Sequence, residues 1–188
     1  IVMPHNGANG NIGIGTTSPA RPLDIAASDL PARFTRFNTS PNLGTRIEIR
    51  RSRGAIVGES GVVQSGDHIG GMVFQGDDGA GTFSNAARFQ AYIDGAAGVG
   101  DMPGRLTFET TPDGSDTLVE RMRINNQGNI GIGTTTPLGL LNLNGGATGK
   151  ALAIFNETGN QDIFTASASG TTRFTIANNG TVTASAYG

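Results

Sequence analysis

The chain has 188 residues, of which 30 are glycine and only 15% are charged; its formal net charge is −2, and it has no cysteine and no tryptophan. Glycine at roughly twice its usual ~7% share, together with abundant Thr, Asn and Ser, excludes long helices. The charge excludes an overall drive toward nucleic acid or an anionic membrane, and the missing cysteine excludes disulfides and thiolate chemistry.

The first element is a repeat. Gly-Asn-Ile-Gly-Ile-Gly-Thr-Thr occupies residues 10–17 and returns unchanged at 128–135. The copies continue through Ser18-Pro19 to Leu23-Asp24-Ile25, and through Thr136-Pro137 to Leu141-Asn142-Leu143. Such a repeat marks a chain built from recurring β-modules strung along an axis. In a strand, Ile12 and Ile14 point to one side and Gly13 to the other, as do Ile130, Ile132 and Gly131. Glycine weakens a strand unless something approaches it closely. The expected neighbour is another copy of the chain, with Ile12, Ile14, Ile130 and Ile132 lining a three-chain seam. The Thr-Thr-x-Pro that follows ends each strand, because proline lacks the N–H a ladder needs.

Residues 1–25 therefore read as a first stalk repeat, 26–124 as a β-rich middle domain, 125–143 as a second stalk repeat and 144–188 as a C-terminal β-module. In the middle domain, Arg46-Ile47-Glu48-Ile49-Arg50 alternates with the period of a half-buried strand, and Met72-Val73-Phe74 is a short apolar run. Phe89, Ala91 and Ile93 share one face, with Arg88, Gln90, Tyr92 and Asp94 on the other. Leu106 with Phe108, and Met122 with Ile124, repeat the pattern. Gly76-Asp77-Asp78-Gly79, Asp94-Gly95, Met102-Pro103-Gly104 and Pro112-Asp113-Gly114 punctuate these runs as turns, which predicts an antiparallel sandwich or barrel-like module. In the C-terminal module, Arg173-Phe-Thr-Ile176-Ala-Asn-Asn-Gly180-Thr-Val182 aligns loosely with Arg121-Met-Arg-Ile124-Asn-Asn-Gln-Gly128-Asn-Ile130, a third strand–turn–strand boundary. The opening Ile1-Val2-Met3-Pro4 has no basic stretch of a signal peptide and, lacking an initiator Met, reads as a fragment or processed product. No apolar run approaches the ~20 residues of a membrane helix, so no membrane insertion is expected.

Chemistry-bearing patterns are sparse. The only histidines are His5, in a turn, and His68, whose neighbour Asp67 points to the opposite side of a strand. Asp77, Asp78, Asp94, Asp101, Asp113 and Asp116 sit in turn-like contexts where Asp caps its own backbone. Glu48, Glu59, Glu109 and Glu120 are carboxylates with no paired geometry that sequence can place. No His/Cys cluster, EF-hand loop or phosphate loop is present. The expectation is no catalytic residue, no metal and no cofactor. Arg33, Arg36, Arg46, Arg50, Arg51 and Arg53 crowd one short span, reading as a solvated or inter-chain face or as a surface for an anionic ligand. Arg33-Phe34-Thr35-Arg36-Phe37 mixes bases with aromatics, yet the acidic balance and single lysine argue against nucleic acid.

The phrases Asp101-Met-Pro-Gly-Arg-Leu-Thr-Phe108, Thr110-Thr-Pro-Asp-Gly114 and Glu120-Arg-Met-Arg-Ile124, running into Gly-Asn-Ile-Gly-Ile-Gly-Thr-Thr-x-Pro137, resemble a bacteriophage tail-fibre or tailspike segment. Val63-Gln-Ser-Gly-Asp67 and Gly70-Gly71-Met-Val-Phe-Gln-Gly76 add to the resemblance, which covers roughly residues 45–140. The C-terminal Phe155-Asn-Glu-Thr-Gly-Asn-Gln-Asp-Ile-Phe164 is similar to tandem modules of large bacterial surface proteins. The resemblance implies an all-β, elongated, intertwined homotrimeric fibre. Such fibres often precede an endosialidase-type intramolecular chaperone that trims itself off after assembly; no such domain is legible here.

The expected function is a structural and adhesive module of a phage tail fibre or similar extracellular appendage. Its partners would be two copies of itself, neighbouring appendage subunits and a cell-surface glycan. Arg46, Arg50, Arg51, Arg53, Phe74, Phe83, Phe89 and Tyr92 are the candidate binding residues, aromatics stacking on sugar faces and arginines meeting hydroxyls or acidic groups. Two other readings stay open. A glycan-depolymerase fragment predicts a groove with two facing carboxylates. A stand-alone carbohydrate-binding module predicts a self-sufficient core, against which a 36% apolar content scattered among glycines argues.

Overall fold

The computed structural model describes residues 11–28, 32–35, 44–146 and 151–184. His5, Arg36 and Phe37 lie outside the described residues. The protein is all-β, with no helix among the described residues. Its contacts divide it into two compact units, Ile1–Glu48 and Ile49–Gly188.

The first unit holds strands β1 (Ile12–Ile14) and β2 (Leu23–Ile25), which pair in parallel with Ile12 opposite Leu23 and Ile14 opposite Ile25. Also in this unit, Arg46 and Glu48 form an ion pair of 2.8 Å. The alternating run 46–50 is not a strand: all five residues are exposed and none joins a ladder. Its period is that of a strand, but none of the described strands pairs with it.

The second unit carries β3 (His68–Asp77), β4 (Phe83–Ile93), β5 (Gly104–Thr110), β6 (Val119–Ile124), β7 (Ile130–Ile132) and β8 (Leu141–Leu143), hydrogen-bonded in that order into one sheet. The first five pair antiparallel; β8 adds parallel to β7. A separate three-stranded antiparallel sheet holds β9 (Phe164–Ala168), β10 (Thr171–Ile176) and β11 (Val182–Ala184), with β10 in the centre. The turn residues expected from sequence lie between the strands. Asp78 at the β3–β4 turn accepts from Ala80 N, Thr82 Oγ1 and Ser84 Oγ at 2.8–2.9 Å, which holds its carboxyl down at about 2.

The register divides the six-stranded sheet into two faces. One row runs straight across as Met72, Phe89, Phe108, Met122, Ile132 and Leu143. The row beside it ends in Leu106, Ile124, Ile130 and Leu141. Behind the first row, on the opposite face, stand Gly71, Gln90, Thr107, Arg123, Gly131 and Asn142. The usual order of burial is inverted. Gln90, Thr107 and Glu109 of the polar face are buried, whereas Met72, Phe74, Phe89, Leu106, Phe108 and Ile132 are exposed. Among the described residues the buried apolar side chains are Val63 at 5% and Ile93 at 2% exposure. A lone chain thus encloses very little oily volume.

Candidate functional site

The repeat folds the same way twice. Ile12 N donates to Pro22 O and Ile130 N to Leu140 O, both at 2.8 Å, while Ala26 N and Asn144 N donate to Ile14 O and Ile132 O at 2.9 Å. The polar residue between the apolar pair caps the connecting loop: Asp24 Oδ2 accepts from Ala20 N at 2.9 Å and Asn142 Oδ1 from Leu138 N at 3.1 Å. The first Thr of each Thr-Thr closes a local turn, its Oγ1 accepting from Ser18 N or Thr136 N at 3.2 Å.

The glycines have a cause different from the one expected from sequence. A Cβ on Gly13 or Gly131 would meet the carbonyl oxygen of Thr16 or Thr134, at 2.5 and 2.6 Å. Gly15 and Gly133, with φ of +75° and +71°, leave no room for a Cβ against the carbonyls of Ala26 and Asn144. The chain's own backbone, at Thr16 and Thr134 in the connecting loop and at Ala26 and Asn144 just past the parallel strand, is what approaches these glycines; no second chain is needed to explain them.

The third boundary is also built alike. Met122 faces Ile132 and Ile124 faces Ile130, as Phe174 faces Ala184 and Ile176 faces Val182. Both turns close with matching bonds, Gly128 N to Asn125 O at 3.0 Å and Gly180 N to Ala177 O at 2.9 Å, each glycine at positive φ.

The eight candidate binding residues do not converge on one surface. Phe74 and Phe89 lie on the apolar face, their ring centroids 6.4 Å apart, and Phe89 continues to Phe108 at 6.4 Å. Tyr92 stands on the other face, 5.1 Å from the His68 ring and beneath the Arg105 guanidinium at 4.6 Å. Phe83 is exposed at the start of β4, opposite Asp77. Arg46 belongs to the first unit, and Arg50 is exposed.

Arg51 and Arg53 are bound to Asp67. Arg53 Nε and Nη2 donate to the two Asp67 oxygens at 2.6 Å each, and Arg51 Nη2 to Oδ1 at 3.2 Å. Gln64 N donates to Oδ2 at 2.9 Å. The Arg53 hydrogen bonds first, then the Gln64 amide, hold the buried Asp67 carboxyl well below the usual carboxylate range. The clamp ties residues 51–66 to the sheet, where Gly66 N donates to Ile93 O at 2.8 Å. Ile49, just before it, occupies the space over Gly70 that a side chain there would fill.

Replacing Asp67 with Asn is expected to free this segment, and trypsin should then cut after Arg51 or Arg53 at least tenfold faster than in the parent. Unchanged cleavage would show that the clamp is idle. The sign of the pH effect follows from the lowered folded value: the contribution is present above the ordinary carboxylate range near ~4 and is lost as pH falls through and below it. The parent's melting point should therefore drop more steeply than that of Asp67→Asn between about pH 5 and 3.

Other carboxylates of the polar face are likewise engaged. Arg88 holds Glu109 at 2.7 Å, Arg105 holds Asp94 at 2.8 Å, and Arg123 grips Glu120 through two bonds of 2.6 and 2.7 Å. Thr107 Oγ1 donates to Glu109 at 3.1 Å and Tyr92 OH to Gln90 Oε1. These pairs and the Asp67 anchor are what sequence reasoning missed. Alternation put the charges on one face; pairing them required the register. Among the described residues no group of three or more His, Cys, Asp or Glu side chains is placed to hold a metal ion, and no helix is long and apolar enough to cross a membrane.

The chain matches no family model and no curated protein. Among solved structures it is similar to the carboxy-terminal domain of the bacteriophage T5 L-shaped tail fibre, at 19% identity and a TM-score of 0.50 over 73% of this chain and 49% of that one. The fold is of the phage tail-fibre type. The same T5 domain with its intra-molecular chaperone domain matches at 20% identity and a TM-score of 0.43, over 54% of this chain and 25% of that one. The chain thus spans between a quarter and a half of the solved chains it matches, and the likeness is one of fold.

Proposed function

We propose that the chain is a structural and adhesive module of a homotrimeric β-fibre, carried on a phage tail or a comparable extracellular appendage and serving attachment to a cell-surface glycan. In this reading 1–25 and 125–143 are stalk repeats, 26–124 is the displayed middle domain and 144–188 a further β-module. The observation that carries it is how little apolar surface the described residues enclose: with Val63 and Ile93 as the buried apolar residues among them, the second unit is short of the apolar burial that stabilises a domain of its size. Association of chains makes up that burial, and a closed three-fold arrangement ends growth where an open sheet edge would propagate it. The repeated cassette supports the fibre part of the reading, since tandem modules extend along an axis. The likeness to the T5 tail-fibre domain supports the setting. The engagement of Asp67, Asp94, Glu109 and Glu120 by arginines favours a scaffold over a glycan-cutting site, which needs a carboxylate pair free to exchange protons.

Light scattering on a sizing column tests the assembly. The expected mass is near three chains, about 58 kDa from the 19.2 kDa of one. A mass of one chain would overturn the reading. For the trimer, a glycan array then reads out attachment.

A further inference from the structure

We infer that the apolar face of the six-stranded sheet, centred on the row Met72, Phe89, Phe108, Met122, Ile132 and Leu143, is the seam along which copies of this chain pack. This rests on the self-association proposed above and goes further, by assigning the surface. It also moves Phe74 and Phe89 from sugar platform to interface.

Three observations carry it. First, the two faces are unlike. The polar face has satisfied its charges within the chain through Arg88–Glu109, Arg105–Asp94 and Glu120–Arg123, whereas the paired rows of the other face contain no charged residue, and Arg121, unpaired at the β5–β6 register shift, is taken up by Thr110 Oγ1 at 2.9 Å on its margin. Second, its size fits. Eight large apolar residues of this face are left 37–60% exposed, on the order of 600 Å² in all, close to the ~800 Å² that each partner covers in a standard interface. Third, the exposure repeats. Ile14 and Leu23 of the first cassette are 52% and 57% exposed, and Ile132 and Leu141 of the second 41% and 60%. Whatever covers one pair must present a matching surface to the other. Another copy of the chain, carrying the same cassette at the same two places, does so.

Adjacent residues supply the test. Met72 and Val73 are neighbours on β3 that point to opposite faces, and in one chain they are 50% and 48% exposed. The protein has no cysteine, so Met72→Cys and Val73→Cys each introduce a unique thiol. Maleimide labelling rates in the native assembly, normalised to the rates in denaturant, are expected to be at least tenfold slower at position 72 than at 73. Phe74→Cys, on the face of Met72, repeats the measurement should Met72→Cys fail to fold. Equal rates in a protein with the mass of three chains would overturn the seam and leave the trimer standing. A single-chain mass would overturn the trimer itself. Slower labelling at 73 would place the interface on the polar face.

Discussion

Replacing Gly133 with Val is expected to undock β8 and lower the melting point by roughly 10 °C. Two costs combine. The φ of +71° lies in the left-handed region, which costs a side-chain-bearing residue about 1–2 kcal/mol and a β-branched one more. Any Cβ there also collides with the Asn144 carbonyl, so the backbone must move apart. That movement breaks the bond from Asn144 N to Ile132 O, 2.9 Å long, with the parallel ladder from Ile130 to Leu143 behind it. The sum is about 3–4 kcal/mol, and each kcal/mol is worth about 2–4 °C in a chain of this length. Gly139→Ala is the control, since nothing lies within 4 Å of its missing Cβ. Gly15→Val should loosen the first cassette in the same way, because its Cβ would collide with Ala26 O. A Gly133→Val protein that melts with the parent, and whose Asn144 amide exchanges no faster, would show that steric need does not explain the invariance of Gly-Ile-Gly between the two copies.

The gap between what was legible and what was not has a physical origin. Strand identity within the sheet was legible because alternation is local. Phe89, Ala91 and Ile93, Leu106 and Phe108, and Met122 and Ile124 each declare a face within a few residues. The third boundary was legible because Arg173-Phe-Thr-Ile176 and its Asn-rich turn obey the same local geometry as Arg121-Met-Arg-Ile124. The parallel pairing of β1 with β2 and of β7 with β8 was not legible, since a short connection ordinarily implies a hairpin. It is possible here because Pro22 and Leu140 carbonyls receive the first amide of the strand before them. The run 46–50 shows the opposite error: a strand period without a strand, since a ladder needs a neighbour as well as a pattern. Alternation already sets Tyr92 and Phe89 on opposite faces, so the ligand candidates rest on residue type alone, and residue type cannot see that Arg51 and Arg53 belong to Asp67.

Ile132→Asp should reduce the particle from three chains to one, and it is the most direct challenge to the seam within the repeat itself. Ile132 stands in the central apolar row, between Met122 and Leu143, and is 41% exposed in one chain. Covering the rest of this isoleucine is worth about 2 kcal/mol at 25 cal/mol per Å². In the proposed trimer, three copies around an axis would multiply that loss and bring three carboxylates together in an apolar, poorly hydrated place. A buried unpaired charge costs several kcal/mol, so the total exceeds what a modest interface can absorb. The side chain can instead reach water only if the chains part. Thr135→Asp, three residues beyond the strand and exposed, adds the same charge without entering the row and should leave the mass unchanged. The strand spectrum of Ile132→Asp should weaken on dissociation, because the described residues of a lone chain bury only Val63 and Ile93 among their apolar side chains. A folded trimer of Ile132→Asp would mean that the second-cassette isoleucines face solvent in the assembled fibre. The inverted burial of this sheet would then require a partner other than the chain itself.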